Sequence, residues 1–336
     1  MSLRSKFDPT AARFRAGKTR GHYESWFLRG NDPTRPRAFW IRYTVTSPAG
    51  QPGDAIAELF LACFDRETGR HVALRERRPV ADGTFASAGL DVRIGSSSLV
   101  PGRAVGALES AGGKARWDLS FGEGQAPLLH FPLALYYGPF PKAKSLVSNP
   151  GLDWSGVVHV GDERLDVTGW RGSLNHNWGE RHTDFYYWGQ VIGFEGLPDT
   201  LLEVATARVK LGKYTTPLLT PIVLRHRGIE YRLNRPWKLT GRAETHGLDW
   251  HFRAKNRAVS LTGHISCSTR DVVTFAYLNP SGGTKVCVNS KIARCVLTVE
   301  TAGQRETLTS PSGAAFEVLV DHPEQAQLAD LPAVVA

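Results

Sequence analysis

Apolar and polar positions alternate strictly in several segments, as expected for strands with one covered face. Phe39, Ile41, Tyr43 and Val45 share one face, and Trp40, Arg42 and Thr44 share the other. Trp117, Leu119 and Phe121 oppose Asp118 and Ser120, and Trp250 and Phe252 oppose His251 and Arg253. The more continuous apolar stretches 58–64 and 272–278 predict strands covered on both faces. Turn signals separate these runs, among them Asn31-Asp32-Pro33, Ala81-Asp82-Gly83, Gly161-Asp162 and Ser281-Gly282-Gly283. A spacing of roughly ten residues between turns predicts antiparallel barrels or sandwiches. Helix is expected only in short pieces, near residues 8–17 and 323–330.

Composition supports this pattern. The chain has 34 Gly and 20 Pro in 336 residues, too much punctuation for a helical bundle. That length also exceeds one compact core, so two domains are expected. An aromatic strand, a Gly/Asp/Pro turn and a second strand begin at Tyr23, and the same order returns at Tyr186. The echo divides the chain into an N-terminal domain, 1–192, and a C-terminal domain, 193–336. Pro132, Pro139 and Pro141 make the segment 130–144 a loop or rim rather than a central strand.

The net charge is +9, of which residues 1–42 carry seven. Such a basic lead-in suits a soluble surface segment, an anionic ligand or a peripheral contact with a membrane surface. No zinc-finger, RRM or helix-turn-helix pattern accompanies the charge, so nucleic acid is not expected as a partner. No apolar run reaches the roughly 18 residues of a membrane helix, and the first residues lack a signal-peptide core. Cys63, Cys267, Cys287 and Cys295 show no metal or disulfide spacing and read as reduced, consistent with a cytoplasmic protein.

Candidate chemistry concentrates in residues 169–190, GWRGSLNHNWGERHTDFYYWGQ. Its buried rings need partners for their polar tips, which Asn175, Asn177 and Gln190 can supply. Ser173-Leu174-Asn175-His176-Asn177-Trp178-Gly179, followed by a strand ending Trp188-Gly189-Gln190, resembles the motif of the carotenoid 1,2-hydratase/AttH-like family. The opening Tyr23-Glu24-Ser25-Trp26 and the late Asn289-Ser290-Lys291-Ile292-Ala293 resemble it as well. The resemblance implies two lipocalin-like antiparallel β-barrel domains in tandem, with little helix. It also implies functional roles for His176 and Trp178. The family's Tyr-x-Asp pair is missing, because the comparable strand reads Leu201-Leu202-Glu203-Val204-Ala205; Glu203 stands there as the replacement acid.

The expected function is binding of a lipophilic small molecule, terpenoid-, carotenoid- or polyketide-like, with acid-assisted hydration, isomerisation or cyclisation. Protonating an alkene needs a buried acid and aromatic faces to stabilise the cation. His176 is assigned as the acid, Trp178 as the cation-facing wall and Glu203 as the second acid/base. Trp26, Asn177, Asp184, Tyr186, Trp188 and Gln190 are assigned to substrate binding. Asp184 also shares a strand face with His182. No GxGxxG, Walker, GxSxG, HxH or HExxH pattern is present, so neither cofactor nor metal is expected. The competing reading is a non-catalytic carrier of a hydrophobic ligand.

Overall fold

The computed structural model describes residues 7–211, 214–235, 240–328 and 331–335, with side chains omitted at 210 and 211. Two large antiparallel sheets dominate it, one of 13 strands and one of 11. In the first, the opening strand His22–Asn31 lies between Arg37–Ser47 and the closing strand Trp170–Gly179. The second repeats this plan: Phe185–Phe194 lies between Leu197–Arg208 and Gln304–Val320. The two aromatic hairpins that echo each other in sequence therefore occupy the same place in their sheets. Each sheet curls around its own core. Trp26, Phe39, Tyr43, Trp117 and Trp154 fill the first, and Tyr187, Trp250, Phe252 and Phe316 the second.

The change of sheet occurs in 180–184, so the division at 192/193 taken from the sequence falls inside the first strand of the second sheet. Helix is confined to short pieces among the described residues. A 3-10 turn at Pro323–Ala326 occupies the expected C-terminal place, whereas 8–17 is extended and bent. A four-residue helix, Ala134–Tyr137, interrupts the proline-rich segment.

A third apolar cluster joins the sheets and positions the site. Phe27, Trp40, Phe60 and Phe64 of the first meet Trp188, Phe275, Tyr277 and Leu319 of the second. The strand Arg37–Ser47 is thus buried on both faces, although its alternation suggested one. The face carrying Trp40, Arg42 and Thr44 is covered by the second barrel rather than by water. Arg42 donates to the Ser25 hydroxyl there at 2.7 Å. Arg29 is fully buried and bridges the barrels, donating to the Gln190 carbonyl at 2.9 Å and the Gly313 carbonyl at 2.6 Å. Asn31 completes the clamp by donating to the Lys291 carbonyl.

These contacts correct the picture of a basic surface segment. Arg29 and Arg42 are interior, and the Arg13 guanidinium lies over the Trp178 ring at 5.2 Å. Residues 1–6 of that segment lie outside the described residues. The cysteines are free: Cys63, Cys287 and Cys295 are buried, and Cys267 is half-buried. Among the described residues no helix is long and apolar enough to cross a membrane.

Candidate functional site between the barrels

Side-chain parity decides what faces what. On the strand Trp170–Gly179, Leu174, His176 and Trp178 turn towards the first barrel and the segment closing its end. Ser173, Asn175 and Asn177 turn the other way, towards the second barrel. On Phe185–Phe194 the residues Tyr186, Trp188 and Gln190 look back across the gap, joined by Glu203, Ala205 and Ala207 from the next strand. A cavity of about 270 Å³ lies between these faces. Tyr23, Phe27, Asn175 and Asn177 form one side of it, and Tyr186, Trp188, Glu203 and Glu317 the other. The proline-rich segment supplies a further wall through His130, Phe131 and Phe140.

Glu203 lies in this wall and is only 2% exposed. One carboxylate oxygen accepts from the Trp188 indole at 2.7 Å, and the other from the Gln190 amide at 3.1 Å. Gln190 also donates to Asn175 at 2.7 Å, and its own carbonyl accepts from Ser173 and Arg29. His130 stands beside this network, equally buried, with Nδ1 3.4 Å from Glu203 Oε1. That separation permits an ion pair, but among the described residues the geometry gives neither ring nitrogen a hydrogen-bond partner. Asn177 Oδ1 is likewise buried and has no hydrogen-bond partner among the described residues. Buried polar atoms without partners are uncommon, and three of them border this one cavity.

Deeper in the interface, Glu317 accepts from the fully buried Lys291 ammonium at 2.8 Å and from Asn289 at 3.3 Å. Burial lowers the pKa of Lys291, and Glu317 opposes that shift. The Tyr186 hydroxyl donates to Glu317 at 3.4 Å, and burial raises this phenol well above its ordinary value. His182, a further wall residue, stacks on Tyr23 with ring centroids 4.0 Å apart. Burial first, then the Arg42 charge, pulls its pKa down to about 3, so the imidazole is neutral at physiological pH.

The structure separates the residues assigned from the sequence into two groups. Asn177, Asp184, Tyr186, Trp188 and Glu203 line the cavity. Gln190 is buried behind it as the link between Glu203 and Asn175. His176, Trp178 and Trp26 do not line it. His176 Nε2 lies 2.8 Å from Glu24 Oε1 and Nδ1 lies 2.8 Å from the Pro9 carbonyl. Its ring stacks on Trp26 at 4.8 Å and meets the tilted Trp178 ring at 4.7 Å. Trp26 donates to the Thr10 carbonyl from within the first core. These three residues hold the N-terminal segment against the barrel end. Sequence reasoning missed His130, which has only a place in a proline-rich run to distinguish it. It also missed Glu317, whose neighbours read as an ordinary strand.

This architecture defines a tandem lipocalin-like protein with a mostly apolar cavity, set with a few polar groups, between its barrels. It is similar to a structure from Nitrosomonas europaea provisionally assigned as an AttH, with a TM-score of 0.60 and 16% identity over 93% of this chain and 97% of that one. Kievitone hydratase from Nectria haematococca gives a TM-score of 0.53 at 9% identity, covering 90% of each chain. At these identities the likeness is one of fold, and that fold is the one the motif resemblance implied. An uncharacterized Mycobacterium tuberculosis protein, Rv0493c in strain H37Rv and MT0513 in strain CDC 1551, is 22% identical over 273 residues. That match covers 81% of this chain and 80% of the relative. No family model matches the chain.

Proposed function

We propose that the interdomain cavity binds a compact lipophilic molecule bearing a hydroxyl or carbonyl group, and that His130 and Glu203 perform acid–base chemistry on it. The observation that carries this reading is the buried His130 imidazole in the cavity wall, beside Glu203 and with neither nitrogen hydrogen-bonded among the described residues. A cavity of about 270 Å³ lies just below the roughly 300–1,000 Å³ typical of ligand sites. That size supports a compact terpenoid- or polyketide-like ligand over an extended carotenoid chain. The reaction class is addition, isomerisation or cyclisation assisted by acid. In a hydration, the protonated His130 delivers its proton to an alkene carbon while the Glu203 carboxylate balances the ring's charge. The Trp188 and Tyr186 rings offer π density to the resulting cation. Water then adds to the cation and returns one proton to His130, which restores the starting state. The hydratase named among the structural neighbours supports this direction through shared fold only.

The ligand is to be recovered from the purified protein by solvent extraction and mass spectrometry, then used as substrate. His130→Phe and Glu203→Gln are expected to lower turnover by roughly 100-fold or more, the usual scale for a positioned acid or base. The extracted compound should still bind both variants. Wild-type binding without turnover would make the protein a carrier and remove the catalytic part. Failure to find or bind any such compound would remove the whole reading.

A further inference from the structure

A second group of chemically capable side chains lies on the outside of the second barrel, away from the cavity. Asp249 and His251 sit two apart on the strand Asp249–Lys255, so both point outward while Trp250 and Phe252 fill the core. His264, on the strand Ser260–Ser266, is the direct cross-strand partner of His251. The two imidazoles face each other with centroids 4.1 Å apart and planes parallel within 1°. Asp249 spans them: one oxygen is 2.9 Å from His251 Nε2 and the other 2.8 Å from His264 Nε2. All three potential donor atoms lie within 4.8 Å of one another.

We propose that Asp249, His251 and His264 form a binding site for a divalent transition-metal ion, with zinc the natural fit to two imidazoles and a carboxylate. A tetrahedral zinc with bonds of about 2.1 Å needs its donors about 3.4 Å apart. The present carboxylate–imidazole separations of 2.9 and 2.8 Å lie within about 0.6 Å of that value. Imidazole nitrogen with carboxylate oxygen is also the set that selects zinc, nickel, cobalt or copper over magnesium and calcium. The edge strand Arg242–His246 can supply a fourth donor. Glu244 is the cross-strand partner of His251, and His246 that of Asp249. Coordination there ties the last three strands of the sheet together. An edge strand has unpaired backbone groups and few other ties, so this is where a metal clip adds most. The half-exposed ion pairs alone do little for that edge, because exposed pairs contribute weakly.

The site escapes sequence inspection because its ligands are joined across strands: Asp249 and His251 have the spacing of any alternating strand, and His264 stands thirteen residues further on. It owes nothing to the interdomain cavity and stands or falls independently of it.

Cobalt(II) chloride titrated into the full-length protein should give visible d–d bands that saturate at one equivalent and are displaced by zinc chloride. Zinc should also raise the melting temperature, as any ligand of the folded state does. His264→Ala and Asp249→Asn should abolish the bands and the zinc-dependent shift. Their metal-free melting reports that they fold. His322→Ala, at an exposed histidine elsewhere, should leave both signals intact. Absence of the bands in the wild type, or their survival in His264→Ala, would overturn the proposal.

Discussion

Replacing Glu24 by alanine is expected to destabilise the protein by about 4 kcal/mol, within the range for breaking a buried charged pair. Glu24 has no exposed surface, yet its carboxylate organises everything at the end of the first barrel. It accepts from the backbone N–H of Arg13 at 2.8 and 2.9 Å and of Phe14 at 2.7 Å. His176 approaches it at 2.8 Å and His22 at 3.0 Å. Burial alone would raise its pKa; the two histidines and their charges overcome this and hold it down at about 2. Alanine leaves two backbone donors and an imidazole nitrogen buried without acceptors, each costing about 1–3 kcal/mol. The N-terminal segment should then loosen around Arg13 and Phe14, while Trp26 to Thr10, His176 to Pro9, Asp8 to Gly89 and Ala12 to Ala86 still tether it. Thermal melting should fall by roughly 10 °C, at 2–4 °C per kcal/mol for a chain of this size. Trypsin should newly cleave after Arg13 and Arg15. Unchanged melting together with unchanged cleavage would show that the carboxylate has no such role.

The same contacts explain what the sequence could and could not disclose. Strand-rich architecture was legible because Trp117, Leu119 and Phe121 alternate cleanly with Asp118 and Ser120, and the structure buries and exposes them in that order. The tandem arrangement was legible from the aromatic hairpins at Tyr23 and Tyr186. The motif around His176 marked a buried strand but not which of its faces borders the interdomain cavity. A strand between two barrels is buried on both sides, so its polar residues carry no solvent-facing label. Period-2 geometry then puts His176 and Trp178 opposite Asn175 and Asn177, and a choice between them needs the partner sheet. His176 became a structural anchor for that reason.

Glu203 and Trp188 were each legible as candidates for a different reason. An acid in the middle of Leu201–Ala205 must find donors when both strand faces are covered. Trp188 and Gln190 supply them from the neighbouring strand. His130 left no comparable trace, since a loop histidine is usually exposed and only the folding of 130–146 over the gap buries it. Arg29 and Lys291 were equally hidden. Charged residues inside strands normally indicate solvent, and here they indicate a polar interface sealed between two hydrophobic cores.

Acidification should destabilise the protein steeply between pH 7 and pH 3.5, chiefly through His182. Its pKa is about 3 when folded and 6.5 as a free side chain. The unfolded chain therefore binds a proton below pH 6.5 that the native state refuses until about pH 3. Stability from this neutral ring is complete above pH 6.5 and is lost as the pH falls through that window. At 1.36 kcal/mol per pH unit the loss reaches about 4 kcal/mol by pH 3.5. The refusal is built into the surroundings: Tyr23 stacks on one face, Tyr277 lies beyond at 5.9 Å, and Arg42 and Lys285 add positive charge. Glu24 acts in the same sense, because its pKa falls from 4.5 to about 2 on folding. Its contribution is complete above pH 4.5 and declines by about 1.5 kcal/mol at pH 3.5. Together these losses approach the whole stability of an ordinary domain, about 5–15 kcal/mol. Urea unfolding at pH 7, 5.5, 4.5 and 3.5 measures the slope directly. His182→Phe keeps the aromatic stack and cannot take up a proton, so most of the dependence between pH 6.5 and 4.5 should vanish in it. A variant as acid-sensitive as the wild type over that interval would place the titrating group elsewhere. Retention of the slope in Glu24→Gln above pH 4.5, with its loss in His182→Phe, separates the two groups by the pH at which each acts.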